Sequence, residues 1–324
     1  MTNSYGVLRI GTDLLLLFTL WIAVLAVKYG LPPASHVIFH LDDPYLSKPY
    51  KDSTVNKYLL YVIGSLLVIV TVFSVEELGR RARGDKQDDH VIIAGRKVGS
   101  FTQNIYLVSG TFLIGAGTAA LITTLAKHCS GVLRPHFLEV CKPNATAMAI
   151  RRNDYDIWEV CTGDSELVHK ALVSFPSGHA SFAFYTSAFL ILYVEARTLR
   201  LLKGYRLVRF CYQLVLFCLA VFTGLSRITD NKHHPQDVLA GALVGILVAL
   251  LVSWRLGRFF DPIMAQTSAT WLASMKDVSS SYISSSTDVS RLRKIDIPLR
   301  RNRKIRHFAI QVCIQFFIRV ALAH

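Results

Sequence analysis

The sequence predicts an all-α fold, a polytopic membrane helical bundle with six transmembrane helices. Two observations lead to this fold class: the composition and the spacing of long apolar runs. Of the 324 residues, 52% are hydrophobic, and the mean hydropathy is +0.38. This composition is too apolar for an ordinary soluble enzyme. The apolar residues are also gathered into runs long enough to cross the hydrocarbon core of a bilayer.

Six stretches have the length and apolarity of a membrane span. The third is rich in Gly, Ala and Thr, which favour close packing between helices over contact with lipid. The first is not followed by a small-residue cleavage site, so we expect a retained signal-anchor rather than a removed signal peptide. The approximate limits of the spans are residues 10–29, 58–76, 104–126, 178–195, 207–225 and 236–254.

The chain is predicted to have two parts. Residues 1–258 form the six-span membrane domain, and residues 259–324 form a cytoplasmic tail. The tail is rich in Ser and then strongly basic, a composition typical of disorder. Its last stretch, residues 307–323, mixes apolar residues with Gln and Arg. We expect this stretch to be a short amphipathic helix at the membrane interface.

The distribution of Lys and Arg predicts the orientation of the chain. Cations concentrate in the second and fourth loops and in the tail, which the positive-inside rule places in the cytoplasm together with both termini. The first, third and fifth loops then face the exterior or an organelle lumen. The net charge of +14 follows from this topology, and no nucleic-acid partner is expected. The loop cations are Arg80, Arg81, Arg83, Lys86, Arg96, Lys97, Arg197, Arg200, Lys203, Arg206 and Arg209.

The third loop contains two features of outward-facing loops. Asn144 begins an Asn-Ala-Thr sequon for N-glycosylation, which is used only on the lumenal side. Cys141 and Cys161 are candidates for a disulfide in the oxidising environment of that side. The nearby Cys129 leaves the pairing open.

Three polar segments lie at the outward ends of spans three to six. They are KHCSGVLRP (127–135), PSGH (176–179) and SRITDNKHHPQD (226–237). Together they supply fixed positive charge, two histidines and a carboxylate, which is the inventory needed to hydrolyse a phosphate monoester. Because all three lie at one face, we expect them to form a single phosphate-handling site.

The first two segments are predicted to bind the phosphate. Lys127 and Arg134 can hold its non-bridging oxygens, although interfacial anchoring explains Lys127 about as well. Ser177 is a good helix N-cap, so the exposed backbone N–H groups after it would form an anion site. Gly178 leaves room for a close approach of the phosphate. His179, in the first turn, is a candidate general acid.

The third segment is predicted to supply the nucleophile. Pro235 fits the first position of a helix, so His234 would cap it and His233 would precede it. Asp237 then falls in the first turn, where it can orient the His233 ring and raise the nucleophilicity of its second nitrogen. Arg227 adds a third cation, and Ser226 adds a hydroxyl. The alternative is a polar turn without a catalytic role.

Metal-independent chemistry without a cofactor is expected. The histidines and cysteines do not show the spacing of a zinc site. The fixed cations of the three segments can neutralise the charge of the phosphate.

The order and spacing of these segments resemble the three signatures of the lipid phosphate phosphatases. K-x6-RP, PSGH and SR-x5-H-x3-D match the integral-membrane type 2 phosphatidate phosphatases, whose site also resembles that of vanadium haloperoxidases. The resemblance covers roughly residues 5–258, and all matched positions are intact. It implies a phosphatase core at the exoplasmic ends of helices 3 to 6. Its implied substrates are phosphatidate, lysophosphatidate, ceramide phosphate and sphingosine phosphate.

The resemblance also implies a mechanism. His233 attacks phosphorus to form a phosphohistidine while Asp237 orients it. His179 protonates the leaving alcohol and then activates water. The phosphate is held by Lys127, Arg134, Arg227, Ser177 and Gly178.

Other readings of the motifs remain open at this point. A lipid phosphotransferase of the sphingomyelin-synthase type uses a related His/Asp site, and a catalytically silent relative could act as a membrane scaffold. The plasma membrane is the expected location of this multi-pass protein, with an extracellular or lumenal site acting on membrane lipid phosphates. The sequence leaves a homo-oligomer open.

Overall fold

A computed structural model describes residues 2–32, 39–83, 91–93, 96–144, 157–201 and 205–256. The chain divides into two units, residues 1–264 and 265–324. All described residues belong to the first unit. The predicted tail helix at residues 307–323 lies outside the described residues, and so do Ala145 and Thr146 of the predicted sequon.

The described part of the chain is almost entirely helical. The helices are α1 (Thr2–Gly30), α2 (Lys57–Arg83), α3 (Ser100–Ser130), α4 (Phe137–Cys141), α5 (Ile157–Val160), α6 (Ser165–Ala171), α7 (Gly178–Leu201), α8 (Arg206–Thr229) and α9 (Pro235–Arg255). The strands β1 (Val91–Ile93) and β2 (Arg96–Val98) pair antiparallel, with Val91 opposite Val98. Each predicted span corresponds to one long helix. Most of the helices are longer than the predicted spans, because the helical backbone continues into the polar residues that flank each apolar run.

Five of the long helices are long and apolar enough to cross a membrane: α1, α2, α3, α8 and α9. The helix at the fourth predicted span, α7, is not among them. It packs against α2, α3, α8 and α9, and many of its side chains are buried within the protein. A helix that is enclosed by other helices does not need an apolar surface toward lipid, so α7 can carry several Ser, Thr and Tyr residues.

The core of the bundle forms around α7. Tyr185 and Phe189 are fully buried there, and both rings contact Phe112 of α3. On its other side α7 lies very close to α9. A Cβ atom added at Gly245 of α9 would overlap backbone atoms of α7, and one added at Gly241 would overlap the carbonyl of Ser177, directly before α7. These two glycines therefore allow the two backbones to approach each other.

A polar cluster joins three helices at the C-terminal end of α7. The Glu76 carboxylate of α2, which is 2% exposed, accepts hydrogen bonds from Tyr193 and Arg197 of α7 and from Asn104 of α3. The Arg197–Glu76 distance is 2.5 Å. A buried carboxylate with this number of donors is well compensated for its loss of water.

A second apolar cluster lies outside the long helices, next to the N-terminal end of α7. Phe39 of the first loop packs edge-on against Phe137 of α4, with ring centroids 5.0 Å apart. A disulfide between Cys141 and Cys161 links α4 to the segment after α5. The cluster also contains Leu46, Leu133, Val140, Ile157, Val160, Val168, Ala171 and Leu172.

Candidate functional site

The three polar segments meet at one end of the bundle. The first leaves α3, the second opens α7, and the third joins α8 to α9. The Lys127 ammonium donates to the backbone carbonyls of Val173 and Ser174, 3.2 and 3.1 Å away. The Ser177 N–H donates to the Asp237 backbone carbonyl at 2.9 Å. These bonds connect the first segment to the residues just before the second segment, and the second segment to the third.

The start of α9 has the geometry predicted from its sequence. Pro235 is the first helical residue and His234 is the N-cap. The Asp237 carboxylate accepts a hydrogen bond from the His234 N–H at 2.9 Å. A carboxylate in the first turn is also favoured by the helix dipole. The position of Asp237, which is fully buried, is therefore fixed by the helix itself.

His233 lies beside Asp237 and is 4% exposed. Its Nδ1 atom is 3.6 Å from Asp237 Oδ2 and 3.3 Å from the Ser174 hydroxyl. Burial lowers the pKa of His233 well below its usual range, and the charges of Arg134 and Lys127 lower it further, against the opposing effect of Asp237. The imidazole is therefore neutral near pH 7 and keeps a lone pair for nucleophilic attack.

The cations around the site are only partly neutralised. Arg227, which is 1% exposed, pairs with Asp230 at 2.6 Å and also contacts the Ser226 hydroxyl. Arg134 Nε is buried and has no hydrogen-bond partner among the described residues. Burial, together with the charge of Arg227, lowers the pKa of Arg134 to about 10, so the guanidinium stays charged at neutral pH.

The second segment leaves space next to the cations. The helix α7 begins at Gly178, and the Ser177 hydroxyl lies 3.4 Å from the Ala180 N–H. A Cβ atom at Gly178 would be 4.0 Å from Cε of Lys127, so the glycine faces that side chain without touching it. His179 Nε2 is buried, and no hydrogen-bond partner for it lies in the part of the chain that the structure describes. Backbone N–H groups, a lysine and a histidine thus surround a position suited to an anion.

Sequence reasoning missed Ser174. Its side chain is fully buried, and its hydroxyl donates to Asp237 Oδ2 at 2.6 Å. It lies two residues before Pro176 of the PSGH segment, and nothing in the order of the residues indicates that it reaches the third segment. Only the packing of α7 against α9 brings the two together.

Sequence reasoning also missed the contribution of the first loop. Thr54 donates from its N–H and its hydroxyl to the Asp230 carboxylate, at 2.8 and 2.7 Å. The Lys232 ammonium lies 3.5 Å from the centre of the Tyr50 ring. Burial lowers the pKa of Lys232 to about 8, with Arg134 adding to the effect. Residues 49–54 are thus held against the turn that carries His233.

Three predicted residues remain to be placed: Asn144, Cys141 and Cys161. They lie in the third loop and are not part of the cluster of charges. Asn144 is exposed, and its N–H donates to the Val160 carbonyl at 2.9 Å. Within the described ranges, no group of three or more His, Cys, Asp or Glu side chains is placed to hold a metal ion.

Comparison with known proteins gives consistent matches. Residues 109–261 match the model of the PAP2 superfamily. Phospholipid phosphatase 2 of Rattus norvegicus is 37% identical over 68% of this chain and 76% of its own length. Phospholipid phosphatase 1 of the same species is 34% identical over 67% of this chain and 74% of its own length.

A Drosophila melanogaster protein with a provisional phosphatidate phosphatase name is 31% identical over 82% of this chain and 74% of its own length. No solved structure matches the chain significantly. The matched region of the superfamily includes all three polar segments, and the similarity to these relatives extends over most of both chains. The chain therefore belongs to the PAP2 superfamily, among its phospholipid phosphatases.

Proposed function

We propose that this membrane protein hydrolyses lipid phosphate monoesters, with phosphatidate, lysophosphatidate, ceramide phosphate and sphingosine phosphate as the substrate class. The observation that carries the proposal is a buried, neutral His233 next to the cations Arg134 and Lys127, with Arg227 close to Arg134 and His179. A phosphate monoester brings negative charge to Lys127 and Arg134, and it can share Arg227 with Asp230. The names of the relatives point to the same chemistry.

In this proposal His233 is the nucleophile. Its Nε2 lone pair forms a bond to phosphorus while the bond between phosphorus and the ester oxygen breaks. His179 gives a proton to the leaving alkoxide, and the product is a phosphohistidine and a free lipid alcohol. His179 then accepts a proton from water, whose oxygen attacks phosphorus. This second step releases inorganic phosphate and restores the free His233.

The remaining site residues hold the phosphate during both steps. Lys127, Arg134 and Arg227 bind its oxygens through charge-assisted hydrogen bonds. Ser177, Gly178 and Ser226 lie at the helix ends next to it. As negative charge shifts onto the transferring group and the leaving oxygen, these fixed donors stabilise the transition state.

We place the site on the outward side of the plasma membrane, with both termini in the cytoplasm. The support is the excess of Lys and Arg in the second and fourth loops, which the positive-inside rule assigns to the cytoplasm. The predicted sequon at Asn144 and the third-loop disulfide agree with this orientation.

Phosphate release from lysophosphatidate tests the function directly. Purified wild type, His233→Ala and His169→Ala are compared with EDTA present; His169 is exposed and outside the site, so its variant is the matched control. We expect the loss of His233 to lower kcat by at least about a thousandfold, because a missing nucleophile is not replaced by its neighbours. The control should retain wild-type activity.

Three outcomes would contradict parts of the proposal. No phosphate release by wild type from any of the four lipid phosphates would favour a transferase or a silent scaffold. Equal activity of the two histidine variants would remove His233 from the mechanism. Loss of wild-type activity in EDTA would mean that cationic side chains do not suffice to neutralise the phosphate.

A further inference from the structure

We propose that Ser174 is a positioning residue, whose hydroxyl holds the His233 ring in place together with Asp237. This inference rests on the proposed function, in which His233 is the nucleophile. The direct distance from His233 Nδ1 to Asp237 Oδ2 is 3.6 Å, which is too long for a hydrogen bond. The Ser174 Oγ atom contacts both groups, at 2.6 Å from Asp237 Oδ2 and 3.3 Å from His233 Nδ1.

The chemistry of the three groups sets the direction of the two bonds. An ionised carboxylate only accepts hydrogen bonds, so the Ser174 O–H donates to Asp237. The hydroxyl oxygen then has lone pairs left for the Nδ1–H of His233. This arrangement keeps the proton on Nδ1 and the lone pair on Nε2. Nδ1 retains its proton while the Nε2–phosphorus bond forms, and no proton moves to the carboxylate.

The Ser174 hydroxyl is held in place independently of the two groups it connects. The residue is fully buried, its N–H donates to the Val132 carbonyl at 2.9 Å, and its carbonyl accepts from Lys127 at 3.1 Å. Asp237 Oδ2 is fixed by its bond from the His234 N–H. Ser174 and Asp237 are therefore both held by hydrogen bonds to the backbone, and the His233 imidazole takes its orientation from them.

The two backbone bonds of Ser174 make it suitable for a clean test. Ser174→Ala removes the hydroxyl and leaves the N–H and the carbonyl that binds Lys127. The matched control is Ser130→Ala. The Ser130 hydroxyl also lies near the second segment, 3.0 Å from the Phe175 carbonyl, but it does not contact His233 or Asp237.

We expect Ser174→Ala to lower kcat between about ten- and one-hundredfold, the range found when an orienting partner of a functional histidine is removed. KM for lysophosphatidate should change less than about twofold, because the hydroxyl does not contact the substrate. When Ser174→Ala is added to Asp237→Asn, kcat should fall little further, because Ser174 and Asp237 both act by orienting His233. Ser130→Ala should behave as wild type.

Two results would overturn the role of Ser174. One is a kcat of Ser174→Ala within twofold of wild type, which would mean that the imidazole moves to bond Asp237 directly. The other is a double variant, Ser174→Ala with Asp237→Asn, whose loss of kcat equals the product of the two single losses. Such independent effects would indicate that Ser174→Ala acts on the structure and not through Asp237. If the alanine variant does not fold, Ser174→Cys serves instead, and its weaker donor should give an intermediate kcat. An inactive wild type would contradict the proposed function, whereas an active wild type with unaffected Ser174 variants contradicts this inference alone.

Discussion

His233 is subject to opposing influences on its charge. Burial and the neighbouring cations Arg134 and Lys127 favour the neutral ring, and Asp237 favours the protonated one. Burial is the larger effect, so the pKa of the ring falls well below 6.5. The neutral ring is the form that attacks phosphorus. Its protonation at low pH would remove the lone pair on Nε2.

The acid side of the pH profile should reflect this balance. We expect the acid limb of kcat/KM to lie below pH 6.5, because the His233 pKa is lowered and the nucleophile stays neutral until the pH falls through that value. Removing one neighbouring charge, as in Lys127→Met, should move the limb upward. Steady-state kinetics between pH 4 and 8 measure the acid limb of wild type and of Lys127→Met. An acid limb above pH 6.5 in the wild type would contradict this account.

The residues of the site differ in how far the sequence predicts them. His179, His233 and Asp237 stand out because they lie in short polar segments that share one face of the predicted bundle, and because the third segment is unusually rich in titratable residues for a turn between two spans. Ser174 does not stand out, because a serine before a helix has many ordinary roles. Its contact with Asp237 depends on how closely α7 approaches α9, a distance that local sequence does not encode.

At the level of elements, the packing of α7 on α9 positions the second segment relative to the third. Gly241 lies where a side chain would overlap the carbonyl oxygen of Ser177, whose own N–H bonds to the Asp237 backbone. The alignment of the two helix N-termini therefore depends on a residue without a Cβ atom.

Gly241→Ala should separate the two helices and weaken catalysis. We expect kcat/KM to fall at least about tenfold, since small displacements of reacting groups are costly. Gly110→Ala is the control, because a Cβ at Gly110 has no atom within 4 Å and alanine stabilises a helix relative to glycine by up to about 1 kcal/mol. Phosphate release and thermal unfolding of both variants in detergent are the measurements. Equal activity of the two variants would exclude this role for Gly241.

The polar cluster at Glu76 should matter for stability. Glu76→Gln leaves Arg197 without its buried partner, so we expect a loss of about 3 kcal/mol or more in the free energy of unfolding. Glu77→Gln is the matched control; the neighbouring Glu77 pairs with Arg80 and Arg81 at the surface. Thermal unfolding in detergent should show a clear drop in Tm for Glu76→Gln and a small one for Glu77→Gln. Similar drops would mean that burial of the pair is unimportant.

The positions of the long helices follow from the sequence, but the environment of α7 does not. Apolar runs predict where each helix lies, because a membrane span has to be apolar wherever it meets lipid. Other helices surround α7, so it can be less apolar than a helix that faces lipid. Its apolarity therefore does not show that it lies at the centre of the bundle. The sequence also does not predict that Tyr50 and Thr54 contact the turn after α8, because contacts between distant loops leave no periodic pattern in the sequence.

At the scale of the whole molecule, the site and the most basic loops lie at opposite ends of the bundle. The three polar segments follow the C-termini of α3 and α8 or open α7 and α9. The cations Arg80, Arg81 and Arg209 lie at the other ends of the helices α2 and α8. This separation is what a membrane enzyme with an outward-facing site requires.

Glycosylation of Asn144 tests that orientation. We expect the protein from a eukaryotic membrane to migrate faster after endoglycosidase treatment, because the sequon is used only in the lumen. Asn144→Gln should migrate at the faster position without treatment. Asn153→Gln changes an asparagine of the same loop that is not in a sequon, and it should behave as wild type. Untreated and treated wild type that migrate together would withdraw the support that the sequon gives to the orientation.

The unpartnered Nε of Arg134 has a consequence for the ligand-free protein. Arg134 lies near two like charges, Lys127 and Arg227, and of these three cations only Arg227 forms an ion pair within the described residues, with Asp230. The repulsion around Arg134 therefore persists after folding. An oxyanion that binds the folded chain and not the unfolded one should therefore act as a protective ligand, raising stability by RT ln(1 + [L]/Kd). Inorganic phosphate, the product of the proposed reaction, would be both a competitive inhibitor and a stabiliser during purification.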